Sequence, residues 1–238
     1  MRAGGFWRRS AAWSLDALVP GAIALVLCHQ TMAAGSARLA AAWSVLADIV
    51  AGRMAALIVA TGIDAPPAPA AMAGMLRALA RDPALHAAAD ALRQALLGVA
   101  APPLAAFVLV FLAWSVGFEA SRLHATPGKR ALGLRVVAAG GGDAGIGALL
   151  LRFLAGALSW LSLNLGHALA ALPPRHAALH DRLSRTRVVL DGDAGARLPA
   201  WAGAWLGVIV LASVFACAWL ATAMGASLQA ALERALWG

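Results

Sequence analysis

The chain has 238 residues, 62% of them hydrophobic and only 13% charged. A water-soluble domain carries about a quarter charged residues, so that class is excluded. Disorder is excluded too, because apolar runs of this length collapse or enter a bilayer. The net charge of +8 sits in short clusters beside apolar segments, the pattern of membrane orientation and not of nucleic-acid binding. With no Tyr and no aromatic-rich basic patch, a platform for stacking bases is lacking.

In chain order, residues 10–30 are the first element predicted. Arg2, Arg8 and Arg9 precede this run and imitate an export signal, but Asp16 lies inside it, where a signal peptide disfavours a carboxylate. The Leu25-Val26-Leu27-Cys28 run has a bulky Leu27 where a lipoprotein box needs a small residue. The segment is therefore read as a retained transmembrane helix. Neither Cys28 nor Cys217 belongs to a Cys-x-x-Cys pair, so no disulfide scaffold or zinc site is indicated.

An Ala-rich stretch follows over 36–98, split at Pro66-Pro67-Ala68-Pro69. Residues 39–62 are long enough to span. Asp48 and Arg53 would each add about 2.5–3.5 kcal/mol to insertion, so helices outside the bilayer are expected here. Residues 102–118 form the second span and 201–224 the last. The intervening 145–172 is interrupted by Arg152, Gly156, Asn164 and Gly166.

Arg122, Lys129, Arg130 and Arg135 cluster after the second span, and Arg175, Arg182, Arg185 and Arg187 cluster later. This bias puts the N-terminus, 119–143 and 174–198 in the cytoplasm and 36–98 outside. The chain then crosses an even number of times between Arg135 and Arg175. That leaves an interfacial helix with a re-entrant segment, in which Arg152 snorkels to the headgroups, or a short helical hairpin. Two short β-like runs, 134–137 and 186–190, are expected to pair on one side, with Gly140-Gly141-Gly142-Asp143 turning away from the first. The fold class is an all-α integral membrane protein. It has three to five embedded helices, a re-entrant or interfacial pair, a small cytoplasmic strand pairing and a helical extramembrane insertion. The predicted organisation is 1–31, the insertion 32–100, the remaining membrane domain 101–190, and a linker with an extra span over 191–238.

Enzymatic motifs are missing. Thr126-Pro127-Gly128-Lys129 contains Gly-Lys, but Leu123 and Arg130 occupy positions where a phosphate loop needs Gly and Ser or Thr. It is read as a structural turn, with Gly128 permitting a bend and Lys129 and Arg130 reaching lipid phosphates. His176 and His180 have the spacing of helical metal ligands, with Asp181 beside them, but no third ligand is evident. No cofactor or metal is expected. The informative residues are the ionisable ones within the membrane: Arg9 and Asp16 on one helix face, Glu119 closing the second span, and Arg152. They form either an ion-pair lock, such as Asp16 with Arg152, or a proton or cation site.

Gly5-Phe6-Trp7-Arg8-Arg9 with Leu15-Asp16 resembles the opening of the RDD family of bacterial membrane proteins. Glu119, Thr126-Pro127-Gly128-Lys129-Arg130 and Gly133-Leu134-Arg135-Val136-Val137 resemble its central signature, and Arg152 with Ala178-Leu179-His180-Asp181-Arg182-Leu183 its closing part. The resemblance covers about 5–31 and 104–190 and maps the family's arginine and two aspartates to Arg9, Asp16 and Asp181. It implies a multi-pass protein of the bacterial inner membrane. It also implies transport, since sodium–proton antiport is attributed to some members. A transporter would use Na⁺ or H⁺ and would need more helices than one chain supplies, hence a homo-oligomer in the lipid bilayer. The alternative is a non-catalytic scaffold or assembly partner acting through 36–98.

Overall fold

The computed structural model describes residues 2–62, 68–161, 165–172, 177–191 and 197–238. The readings placed on Pro66, Pro67, Asn164, Arg175 and His176 lie outside the described residues. Three helices are long and apolar enough to cross a membrane: α1 (Phe6–Thr61), α3 (Pro83–Ala120) and α8 (Ala200–Trp237). Each outruns its apolar core as read from sequence. No break falls at 31 or 100: alanine-rich sequence carries α1 through the first, and α3 continues through Pro102 and Pro103 just after the second. Between α1 and α3 lies α2 (Pro69–Leu79). After α3 come the short α4 (Pro127–Ala131), β1 (Leu134–Ala138) and α5 (Ile146–Leu161). Then follow α6 (Leu165–Ala168) with a 3₁₀ turn over Leu169–Ala171, α7 (Leu179–Leu183) and β2 (Thr186–Leu190).

The two strands pair antiparallel, with Val136 opposite Val188 and Leu134 opposite Leu190. The pairing expected from their sequences is therefore present, with β1 and β2 hydrogen-bonded along their whole length. Gly141 and Gly142 take positive φ (93° and 80°) where the chain turns away from β1. At 16 residues α5 falls short of a full crossing. A third piece of backbone joins the sheet: Ala3 bridges Val189, and the Gly4 N–H donates to the Val188 carbonyl at 3.0 Å.

The chain divides into two compact units, one of residues 1–27 and 105–210, the other of 28–104 and 211–238. In the first, Leu134, Val136, Val188 and Leu190 pack with Leu132, Leu149, Ala11, Ala12 and Ala202. The alanines allow helix backbones to approach closely, the usual solution where hydrophobic drive between membrane helices is weak. In the second, Ala47, Ala51 and Ala231 pack with Trp43, Leu228 and Leu232. The Trp43 indole donates to Ser227 Oγ at 2.6 Å, and Arg53 pairs with Asp82 at 2.6 Å. The Asp82 carboxylate also accepts the Ala84 N–H at 2.9 Å, capping the start of α3.

Candidate functional site

Three acids are buried in the first unit: Asp181 (1% exposed), Asp16 (3%) and Glu119 (5%). They divide into two centres.

The first centre is built on Asp181, in α7. Arg9 Nη1 donates to its Oδ2 at 2.5 Å, and Arg152 Nη1 donates to its Oδ1. The same carboxylate accepts the Ala178 N–H at 2.9 Å at the start of α7. Arg152 also donates to Thr186 Oγ1 at 2.9 Å and lies 3.8 Å from Glu119. Glu119 in turn pairs with Lys129. Arg9 is fixed further by the Gly4 carbonyl at 2.8 Å. The chain Arg9–Asp181–Arg152–Glu119–Lys129 thus ties α1, α3, α4, α5 and α7 together. Burial alone would raise the Asp181 carboxyl, but the Arg152 and Arg9 guanidinia outweigh it and hold it well below the usual carboxylate range.

His180 Nε2 lies 3.5 Å from Asp181, and its ring centroid is 5.1 Å from that of His167. Burial first, then the Arg152 guanidinium, pushes His180 down to about 2, and the same causes lower His167. Nδ1 of each ring is buried without a hydrogen-bond partner among the described residues. Among the described residues, no three His, Cys, Asp or Glu side chains gather to hold a metal ion.

The second centre is Asp16. Thr126 Oγ1 donates to its Oδ2, and the Gly128 N–H donates to its Oδ1 at 2.7 Å. Pro127 opens α4 between them, at a position where its missing N–H is harmless. Thr126 spends its hydroxyl on Asp16 and does not cap α4 itself, so the carboxylate satisfies the first turn from another helix.

Several expectations are corrected by this geometry. Asp16 meets neither Arg152 nor Arg9, because Asp181 and Glu119 take up those guanidinia and the Lys129 ammonium. Arg152 does not snorkel to headgroups; it is buried, and two acids satisfy it. Lys129 turns inward to Glu119 and not to lipid phosphate, whereas Arg130 remains exposed. Gly128 is helical. A Cβ there would strike the Ala12 carbonyl oxygen and lie 2.9 Å from the Asp16 carboxylate, so close approach and not a bend requires glycine. Asp181 is buried on α7, and His180 lies beside it with only 12% of its side chain exposed.

Sequence reasoning assigned no role in the site to four residues. Arg8 is buried and donates to the Leu132 carbonyl at 2.9 Å and to the Arg197 carbonyl. Thr186 and Ser184 share a hydrogen bond at 2.8 Å beside Arg152. The His167 ring lies tilted beside that of His180, at an interplanar angle of 56°. Only Arg8 left a signal, as one of two adjacent arginines pointing in different helical directions.

A search of curated proteins and of solved structures gives no match. The model described as "RDD family" matches residues 3–185, which include both acidic centres, and the chain is a membrane protein belonging to the RDD family.

Proposed function

We propose that this protein moves a small cation, H⁺ or Na⁺, across the bacterial cytoplasmic membrane, with Asp16 as the carboxylate that holds it. The donor set of Asp16 carries this reading: one hydroxyl, one amide N–H, and among the described residues no cation within ion-pairing distance. A buried carboxylate so placed keeps an uncompensated charge in an apolar medium, where a proton or Na⁺ is a favourable partner. Each oxygen also retains acceptor capacity after its one bond. Protonation would turn the carboxyl into a donor, so the Thr126–Asp16 bond would have to reverse or the new proton face elsewhere. Loading is thereby coupled to the position of α4.

Three spanning helices enclose little space, so the water path is assigned to a homo-oligomer. The arginine clusters support a cytoplasmic N-terminus, with β1 and β2 on that face and 36–98 outside. Neither this reading nor its rival involves covalent catalysis.

The test is cation flux into liposomes, measured with thermal stability on one preparation. Asp16→Asn is expected to remain folded and abundant but to lose flux. A folded Asp16→Asn variant with wild-type flux would remove Asp16 from the mechanism. A rival reading, a membrane scaffold acting through 36–98, is favoured by the complete mutual pairing of Arg9, Arg152, Lys129, Asp181 and Glu119. Absence of H⁺ and Na⁺ flux from well-folded wild-type protein would select it.

A further inference from the structure

Lysine occurs once in this chain, at position 129, among 19 lysines and arginines. Lys129 follows the Gly128 whose N–H holds Asp16, and its ammonium pairs with Glu119. The five-residue α4 therefore serves both acidic centres, Asp16 through Thr126 and Gly128, Glu119 through Lys129. The charges in this unit are not matched without Asp16. Arg9, Arg152 and Lys129 set three cations against the two acids Asp181 and Glu119. Arg8, buried on the Leu132 and Arg197 carbonyls, adds another charge of the same sign. Asp16 is buried in the same unit and makes no ion pair among the described residues. Its negative charge offsets the surplus from beyond contact distance, where an apolar medium screens the attraction poorly.

A cation bound at Asp16 cancels that charge and leaves the surplus without its offset. Lys129 is the side chain placed to respond. Arg9 is held by the Gly4 carbonyl as well as Asp181, and Arg152 by Asp181, Thr186 and Glu119. Lys129 has Glu119 as its one partner among the described residues, at the end of a flexible four-carbon stem. Its side chain is already 18% exposed, and Pro127 and Arg130 on the same short helix are exposed. Its departure does not strand Glu119, because Arg152 stays 3.8 Å away and two cations then face two acids. An arginine at 129 would grip the carboxylate through two parallel bonds and leave it less readily. We propose that Lys129 couples the two centres: its ammonium leaves Glu119 for water when Asp16 is loaded, and returns when Asp16 empties. The proposal rests on Asp16 as the cation site and assigns Lys129 as a positioning residue, not a ligand of the cation.

With a single lysine, acylation of the full chain in detergent at fixed pH, read at Lys129 by peptide mass spectrometry, tests this. Asp16→Asn stands in for the loaded carboxylate, and Lys129 should acylate about fivefold to tenfold faster in it than in the wild type. Asp16→Ser, neutral and smaller, should do the same, so a folding defect peculiar to asparagine does not decide the result. A double-mutant cycle on melting temperature is independent of labelling. Asp16 and Lys129 attract, so Asp16→Asn with Lys129→Gln should lose less than the sum of the two single losses. Unchanged acylation in the folded neutral variants would overturn the proposal, and so would additive losses. Liposome flux separates this outcome from that of the cation site. Lost flux with unchanged acylation in Asp16→Asn would sink the Lys129 response and leave the cation site standing. Faster acylation with wild-type flux would keep the electrostatic link and remove Asp16 from transport.

Discussion

Asp181 and Asp16 are acids buried to the same degree in the same unit, yet they are neutralised in opposite ways. Asp181 faces two guanidinia and continues into a chain of alternating charges. Asp16 faces a hydroxyl and an amide. Removing one member of a charge-matched set strands the others in a low-dielectric setting, which makes such a set rigid and sensitive. A carboxylate held by neutral dipoles loses less when its charge is cancelled, because most of its bonds persist. The first arrangement suits a lock and the second a site that changes state.

The largest expected effect comes from breaking the lock. Asp181→Ala should destabilise by about 3–5 kcal/mol, by removing the buried carboxylate that Arg9 and Arg152 share. Asp16→Asn should fall well below that, since an amide oxygen still accepts one of the two donors. Detergent melting temperatures that rank Asp16→Asn as the worse variant would invert the comparison.

Next is Gly128→Ala, where the new methyl strikes α1 and forces α4 away from Asp16. A loss of about 1–3 kcal/mol is expected. An unchanged melting temperature would show that the two elements are not seated so closely.

Acidity separates the centres further. The folded value of Asp181 lies below its unfolded one, so its contribution is present above about pH 3.9 and lost as pH falls through the folded value. His180 is also lowered on folding, to about 2, and the unfolded chain takes up the histidine proton first. Stability therefore drops as pH falls below about 6.5, by up to about 1.4 kcal/mol per pH unit for one such histidine. Melting temperatures at pH 7 and pH 5 should show this decline, and His180→Gln should flatten it. A flat wild-type profile would mean that His180 is not held neutral. The smallest effect belongs to the second unit, where Arg234 and Asp48 pair at 3.0 Å with both side chains more than half exposed. Arg234→Gln should shift stability by less than about 1 kcal/mol in unfolding measurements.

Much of this fold was legible. Apolar length marked the three spanning helices, and the Val-Val runs at 136–137 and 188–189 marked the strands. The partners within the site were not legible. Arg9 and Asp16 share a helix face, which suggested that they act together, but a helix face says nothing about which distant loop arrives above each turn. The burial of Asp181 was not legible, because arginines stand near it in sequence. In space, Arg182 points to solvent while Asp181 points inward, a distinction that needs the phase of a five-residue helix. Gly128 was read as a bend because glycine serves both bends and close contacts, and only the Ala12 backbone beside it decides between them.

The charge chain also has a consequence for biosynthesis. Arg9 and Asp181 are 172 positions apart, so at ordinary translation rates the arginine waits roughly 10–35 s for its acid to be made. Throughout that interval Arg9, and later Arg152, must be solvated by water, headgroups or the insertion machinery. The carboxylate that the two arginines share is synthesised after both, so closure of the charge chain reports that the protein has been made through α7. A chain interrupted before Asp181 lacks the carboxylate that Arg9 and Arg152 share and remains distinguishable, by charge alone, from one that has finished folding.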